Sequence, residues 1–299
     1  MAAQSYAPEP RITSPLPERR FPKYGYAGFA VILIAEVCLL ANVSLVATYF
    51  TPLVWTGYIL IIDSVLLRNG VREKPFWRSR EIAVMAPWSI VCWLIFELYN
   101  LRLENWTYVG LPENTAARYA GYAWSFATIF PAILLTAELI KSKLVPPPLQ
   151  TSFPVTSKTE AFLLLTGAII LAIPLIVSRE TSSRLFALVW VGFILVLDPI
   201  NFRKERRSIL CEVARGNLRT LLSLLLSGLW CGFLWEFWNY WAGAKWVYNV
   251  PISFAGPKIF EMPLLGFLGF PPFAVECFVM NEFLYAIIPS LSPRITSAS

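Results

Sequence analysis

Two stretches decide the architecture of this chain: Leu53-Val-Trp-Thr-Gly-Tyr-Ile-Leu-Ile-Ile-Asp-Ser-Val-Leu-Leu-Arg68 and Leu188-Val-Trp-Val-Gly-Phe-Ile-Leu-Val-Leu-Asp-Pro-Ile-Asn-Phe-Arg203. Laid over each other, they share Leu, Val, Trp, Gly, Ile, Leu, Asp and Arg in the same order and spacing. Each is apolar for long enough to lie in a bilayer as helix, and each carries one Asp near its end. A second matched pair follows at nearly the same offset: Cys92-Trp-Leu-Ile-Phe-Glu-Leu-Tyr-Asn100 and Cys231-Gly-Phe-Leu-Trp-Glu-Phe-Trp-Asn239. Both then run into a Trp-x-Tyr loop that ends in proline, Trp106 to Pro112 and Trp246 to Pro251. Two anchors in one order point to an internal duplication.

Composition sets the class. Of 299 residues, 57% are hydrophobic and only 15% charged, too apolar for an ordinary soluble domain of this length. Apolar runs of about 20 residues recur, the length that crosses the hydrocarbon as helix. The strict alternation of a membrane barrel is absent, so helices satisfy the backbone. The fold class expected is all-α, a polytopic membrane protein of about eight spans arranged as two parallel four-helix repeats. The spans are expected near 25–48, 51–67, 82–100, 119–140, 160–178, 185–202, 218–239 and 262–288, the last interrupted at Pro271-Pro272. The domain reading is a disordered cytoplasmic tail over 1–24, a first repeat over 25–141, a proline-rich linker over 142–158, a second repeat over 159–290 and a tail over 291–299.

The basic residues orient the bundle. With the N-terminus in the cytoplasm, all but six of the 25 Lys and Arg fall on the inner side. The exceptions are Arg102, Arg118, Arg179, Arg184, Lys245 and Lys258. Both termini are then cytoplasmic, and the location expected is a bacterial inner membrane. The net charge of +6 follows from this topology and calls for no nucleic acid.

Histidine is missing altogether, which removes histidine-ligated metals and histidine-based triads. The five cysteines lack paired spacing and read as small buried apolar residues. No cofactor and no metal site is expected.

The candidate chemistry lies with Glu97 and Glu236, each followed on the same helix face by an amide, Asn100 and Asn239. A carboxylate in hydrocarbon is costly and usually faces a cavity or a bundle interior, where it can serve as an acid. The same residues serve a helix–helix contact or a loop backbone near the interface just as well. Trp106, Tyr108, Trp246 and Tyr248 fit an interfacial aromatic belt. With Trp235 and Trp238 they also suit a pocket for an extended apolar molecule, where ring faces stabilise a developing cation. Asp63 and Asp198, each five residues before Arg68 and Arg203, read as structural pins pairing with those arginines or with the other repeat. Glu36 is a secondary candidate because it lies in mid-span; Glu138 and Glu276 have no counterpart across the repeat.

The segment Lys245-Trp-Val-Tyr-Asn-Val-Pro-Ile-Ser-Phe-Ala-Gly-Pro-Lys-Ile-Phe-Glu-Met-Pro-Leu-Leu-Gly-Phe-Leu-Gly-Phe270 resembles the integral-membrane lycopene cyclase domain family. The resemblance implies tandem helical repeats and a proton-initiated, redox-neutral cyclisation of a carotenoid end group. Where that family has an acidic pair after the proline, this chain has Leu264 and Leu265, and Glu261 precedes Met262-Pro263 instead. The function expected is binding of, or acid–base chemistry on, an isoprenoid or carotenoid-like lipid. An ion-coupled transporter or flippase, or a non-catalytic subunit that binds pigment or lipid, remain as alternatives. Partners expected are membrane lipid and a hydrophobic small molecule.

Overall fold

The computed structural model describes residues 19–147, 153–249 and 257–292. Eight of its helices are long and apolar enough to cross a membrane: α1 Lys23–Leu40, α2 Phe50–Arg68, α3 Arg80–Leu103, α4 Thr115–Lys143, α5 Ser157–Ile176, α6 Phe186–Arg203, α7 Arg219–Trp241 and α8 Phe270–Ile287, the last preceded by a 3-10 segment, Leu264–Gly269. The chain is an all-α polytopic membrane protein. The tail calls over 1–18 and 293–299, the linker residues 148–152 and the loop 250–256 lie outside the described residues.

Two boundaries differ from those expected. The first span ends at Leu40, not near 48, because Asn42 adopts a left-handed φ of 56° and starts a separate short helix at Ser44. An apolar run gives no warning of such a break. Pro271 and Pro272 do not interrupt the eighth span but open it: Pro271 occupies the first turn of α8, where a missing N–H costs nothing. Arg19, expected in a free tail, is tied to the bundle: its N donates to Arg68 O at 3.0 Å and its guanidinium to Glu73 O at 2.8 Å.

Within each repeat the first two spans touch through glycine. A Cβ on Gly28 would stand 2.6 Å from Gly57 O, and one on Gly57 2.8 Å from Gly28 O. In the second copy, a Cβ on Gly167 would stand 3.0 Å from Gly192 O. Lipid supplies no hydrophobic drive between helices, so such close backbone approach contributes to holding α1 to α2 and α5 to α6. The third and fourth spans pack by small hydroxyls: Ser89 Oγ donates to Phe126 O and accepts from Phe130 N, while Ser227 Oγ of α7 reaches Ile133 O of α4 across the repeats.

The aspartates match between copies but not with the arginines expected. Asp63 accepts Phe76 N at 2.9 Å and the Tyr24 hydroxyl at 3.0 Å. Asp198 accepts Ser208 Oγ, Ile209 N and Leu210 N. Each caps the loop that follows its helix. Five residues along a helix is about 140° of rotation, which turns Arg68 and Arg203 away from them. Arg203 pairs with Glu160 instead. Another matched pair was not visible in the spacing: Arg72 holds Glu138 of α4 at 2.7 Å, and Arg206 holds Glu282 of α8 at 3.1 Å. Glu81 joins Arg72 at 2.9 Å. Burial works against the charge on Arg72, but Glu138 and Glu81 outweigh it and raise its pKa.

At the other end, the two aromatic loops join. Strand β1 (Trp106–Val109) pairs antiparallel with β2 (Lys245–Tyr248), Trp106 opposite Tyr248 and Tyr108 opposite Trp246. Equivalent residues thus exchange places about a two-fold axis, as two parallel repeats require. A small hairpin of β3 (Lys258–Ile259) and β4 (Met262–Pro263) follows.

Candidate functional site

The site is built from the ends of α3 and α7. In each copy the asparagine grips the loop that follows. Asn100 Nδ2 donates to Trp106 O at 2.9 Å, and its Oδ1 accepts Asn105 N at 2.8 Å. Asn239 Nδ2 donates to Trp246 O at 2.9 Å, and its Oδ1 accepts Trp246 N at 3.1 Å. Both amides are therefore clamps on backbone, with neither aimed at a ligand. Each clamp folds its strand back over the helix end and brings the tyrosine two residues on to the glutamate.

Around the glutamates the copies part. Glu97 Oε1 accepts three donors: the Tyr108 hydroxyl at 2.6 Å, Trp93 Nε1 at 2.8 Å and Trp106 Nε1 at 3.1 Å. Glu236 Oε1 accepts only the Tyr248 hydroxyl, at 2.5 Å, and Trp246 Nε1 donates to that tyrosine rather than to the carboxylate. Glu236 is fully buried, and its Oε2 has no partner among the described residues. The position of Trp93 is taken in the second copy by Gly232, against which the Phe270 ring packs; a Cβ there would fall 2.3 Å from that ring.

Between the repeats lies a cavity of about 700 Å³. Six of the twelve tryptophans of the chain line it: Trp55, Trp93, Trp106, Trp190, Trp235 and Trp246. Trp235 is central, with its ring centroid 6.0 Å from Trp93 in a stacked pair, 5.6 Å from Trp55, and 6.1 Å from Phe273. Tyr108 and Tyr248 also face the cavity, which accounts for their partial exposure. Burial, reinforced by Glu97 and Glu236, raises both phenols well above the usual value of 10.

Of the residues expected to bind substrate, Trp106, Tyr108, Trp235, Trp246 and Tyr248 line this cavity and Trp238 does not. Trp238 turns the other way, donating to Glu36 at 3.2 Å and packing edge-on against Trp55 at 5.1 Å. That contact also accounts for Glu36. The four residues expected to be catalytic, Glu97, Glu236, Asn100 and Asn239, stand behind the wall rather than in it. The carboxylate in the wall is Glu261, at the tip of the β3–β4 hairpin. That hairpin is held down by Phe260, left-handed at φ 57°, whose ring sits 5.6 Å from Phe237 and 5.9 Å from Phe233.

Sequence spacing gave no access to Glu261, Trp55, Trp190 or Asn105, because each reaches the cavity by tertiary folding of a loop or a neighbouring span. Among the described residues, no cluster of three metal-ligating side chains occurs. No protein-family profile, curated protein sequence or solved structure matches the chain.

Proposed function

We propose that the protein binds an isoprenoid or other long-chain lipid in the cavity between its repeats and performs acid–base chemistry on it. The observation that carries this reading is the aromatic lining: six indoles around about 700 Å³, a size within the usual range for small-molecule pockets. The likeness of residues 245–270 to the lycopene cyclase domain supports the same ligand class and a cyclase-type reaction. In such a step a carboxylic acid gives its proton to an alkene carbon of the lipid. The cation closes a carbon–carbon bond, and loss of another proton to the carboxylate restores the acid, so no oxidant is needed. In this reading Glu261, which lines the cavity, makes the transfer, Glu236 behind Tyr248 is a reserve of proton and charge, and the faces of Trp93 and Trp235 suit the cation. In this topology the cavity lies toward the outer surface, with both termini cytoplasmic.

The test is to purify the protein without added lipid, extract it and identify what is released by mass spectrometry. A defined isoprenoid or long-chain species, depleted in a Trp235→Ala variant that still folds, is the expected result. Only bulk phospholipid in membrane proportions would overturn the reading.

A second reading, ion-coupled transport of an apolar or lipid substrate, is favoured by Glu276. This residue is fully buried in α8, and neither carboxyl oxygen has a partner among the described residues. Intramembrane carboxyl groups so placed serve as proton carriers in transporters. Glu276→Gln in liposomes would abolish proton-dependent flux under this reading and leave lipid conversion intact under the first.

A further inference from the structure

The cavity has a charged mouth. The end of the bundle that carries the β1–β2 pair holds six basic residues, and four of them, Arg118, Arg184, Lys245 and Lys258, line the cavity. The other two are occupied elsewhere: Arg102 donates to Val177 O, and Arg179 pairs with Glu104. Four of the six basic residues at this end of the bundle thus line one cavity.

These cations are poorly neutralised. Arg118 is half-buried and bonds only backbone carbonyls, Pro112 O at 2.9 Å and Glu113 O at 3.5 Å. Lys245 is half-buried as well, with its ammonium on Tyr240 O at 2.9 Å and 5.4 Å from the Tyr240 ring centre. Among the described residues, no carboxylate lies within ion-pair distance of Arg118, Lys245 or Lys258. Arg184 does pair, with Glu180 at 3.1 Å, but both side chains are mostly in solvent and such a pair is weak. Against these four stands one lining carboxylate, Glu261. Deeper in the wall, two donors go unused: Thr51 Oγ1 and Trp55 Nε1 are buried, line the cavity and have no acceptor among the described residues. Buried donors normally find one. On one side the cavity is edged by Leu265 and Leu268, both more than half exposed, so an apolar chain can reach it laterally from lipid.

From this geometry we infer that the cavity takes an anionic amphiphile: a phosphate- or carboxylate-bearing headgroup held at the mouth by Arg118, Lys245 and Lys258, with its apolar chain among the indoles. The inference rests on the reading that the cavity binds a long-chain lipid, and adds that the lipid is charged. An anion at the mouth supplies the countercharge these residues lack. It also fixes the depth to which the chain enters, and so which carbons reach Glu261.

The test uses the full chain in neutral detergent, with tryptophan quenching as the readout, since half of the indoles lie in the cavity wall. Farnesyl phosphate, farnesol and inorganic phosphate are the probes. Farnesyl phosphate is expected to bind about tenfold or more tightly than farnesol, as one retained ion pair in a low-dielectric mouth would give. That advantage should shrink at about 1 M salt, where the screening length falls to about 3 Å, while farnesol is unaffected. Lys258→Gln, an exposed change, and Arg118→Gln should each reduce the preference without weakening farnesol. The salt series on the unaltered protein covers the case in which Arg118→Gln fails to fold. Equal affinity for farnesol and farnesyl phosphate would overturn the inference and leave the lipid cavity standing. Binding of neither would overturn both. Displacement of farnesyl phosphate by inorganic phosphate at comparable concentration would mark a free-anion site and overturn the amphiphile.

Discussion

The first and second copies of the carboxylate–aromatic unit use the same parts to different ends. In the first, Trp93, Trp106 and Tyr108 all donate to one oxygen of Glu97, which leaves that glutamate an acceptor locked into its loop. In the second, glycine replaces the first of these donors and the second turns to the tyrosine, so Glu236 Oε1 keeps a single donor, and its other oxygen is fully buried without a partner among the described residues. The duplicated scaffold is common to both: Asn100 and Asn239 make the same clamp, and β1 and β2 complete one another. The frame is shared, and beside the Glu261 hairpin the buried carboxyl group is held by one hydrogen bond where its counterpart is held by three. We take the Glu97 copy as the anchor and the Glu236 copy as the working half.

The largest expected effect separates the copies by stability. Glu97→Ala removes the acceptor of three donors, of which Trp93 keeps a longer bond to the Tyr108 oxygen at 3.4 Å, and should cost about 3 kcal/mol, since each buried unpaired donor costs about 1–3 kcal/mol and this site is partly open. Glu236→Ala orphans one donor and removes an unpartnered oxygen, so about 1 kcal/mol is expected. Chemical denaturation in detergent measures both. Equal losses would erase the distinction between anchor and working half.

A smaller effect tests what the copies share. Tyr108 and Tyr248 both have pKa values raised above the ordinary 10, so their neutral form is favoured in the folded state. The stability this provides is complete below about pH 10 and is lost as pH rises above it toward the folded values. Melting curves from pH 8 to 11 should therefore steepen in their decline above about pH 10. The double Tyr108→Phe, Tyr248→Phe variant should lose that extra slope; an unchanged slope would mean that burial beside the carboxylates does not hold these phenols neutral.

The frame of this protein was legible because its signals are local. Glu97 to Asn100, and Gly57 to Asp63, sit at fixed spacing along single helices, and the same spacings recur at Glu236 to Asn239 and Gly192 to Asp198. The site was only half legible. Trp106, Tyr108, Trp235, Trp246 and Tyr248 were found because they flank the matched glutamates. Glu261, Trp55 and Arg118 were missed as site residues because loops and neighbouring spans deliver them, and no periodicity records that. Asp63 and Asp198 are structural, as expected, but cap loops instead of meeting Arg68 and Arg203, because five residues along a helix put the two side chains on different faces. Trp238 went astray because a residue three positions from Trp235 can still turn toward the first span.

The smallest effect concerns the clamps. Asn100→Asp and Asn239→Asp each replace a donated hydrogen bond to a strand carbonyl with a repulsive contact, and each should cost about 1 kcal/mol. Near-equal losses in thermal midpoint would support a shared frame; a loss confined to one copy would argue that only that loop depends on its amide.

The division of labour is tested most directly by Glu97→Gln and Glu236→Gln made side by side, with thermal midpoint and extracted lipid measured on the same preparations. The amide keeps the shape of the carboxylate but delivers no proton. The account predicts that Glu236→Gln holds its midpoint while the extracted lipid shifts toward the unconverted form, and that Glu97→Gln loses midpoint with its lipid unchanged. Lipid unaltered in Glu236→Gln but shifted in Glu97→Gln would contradict it.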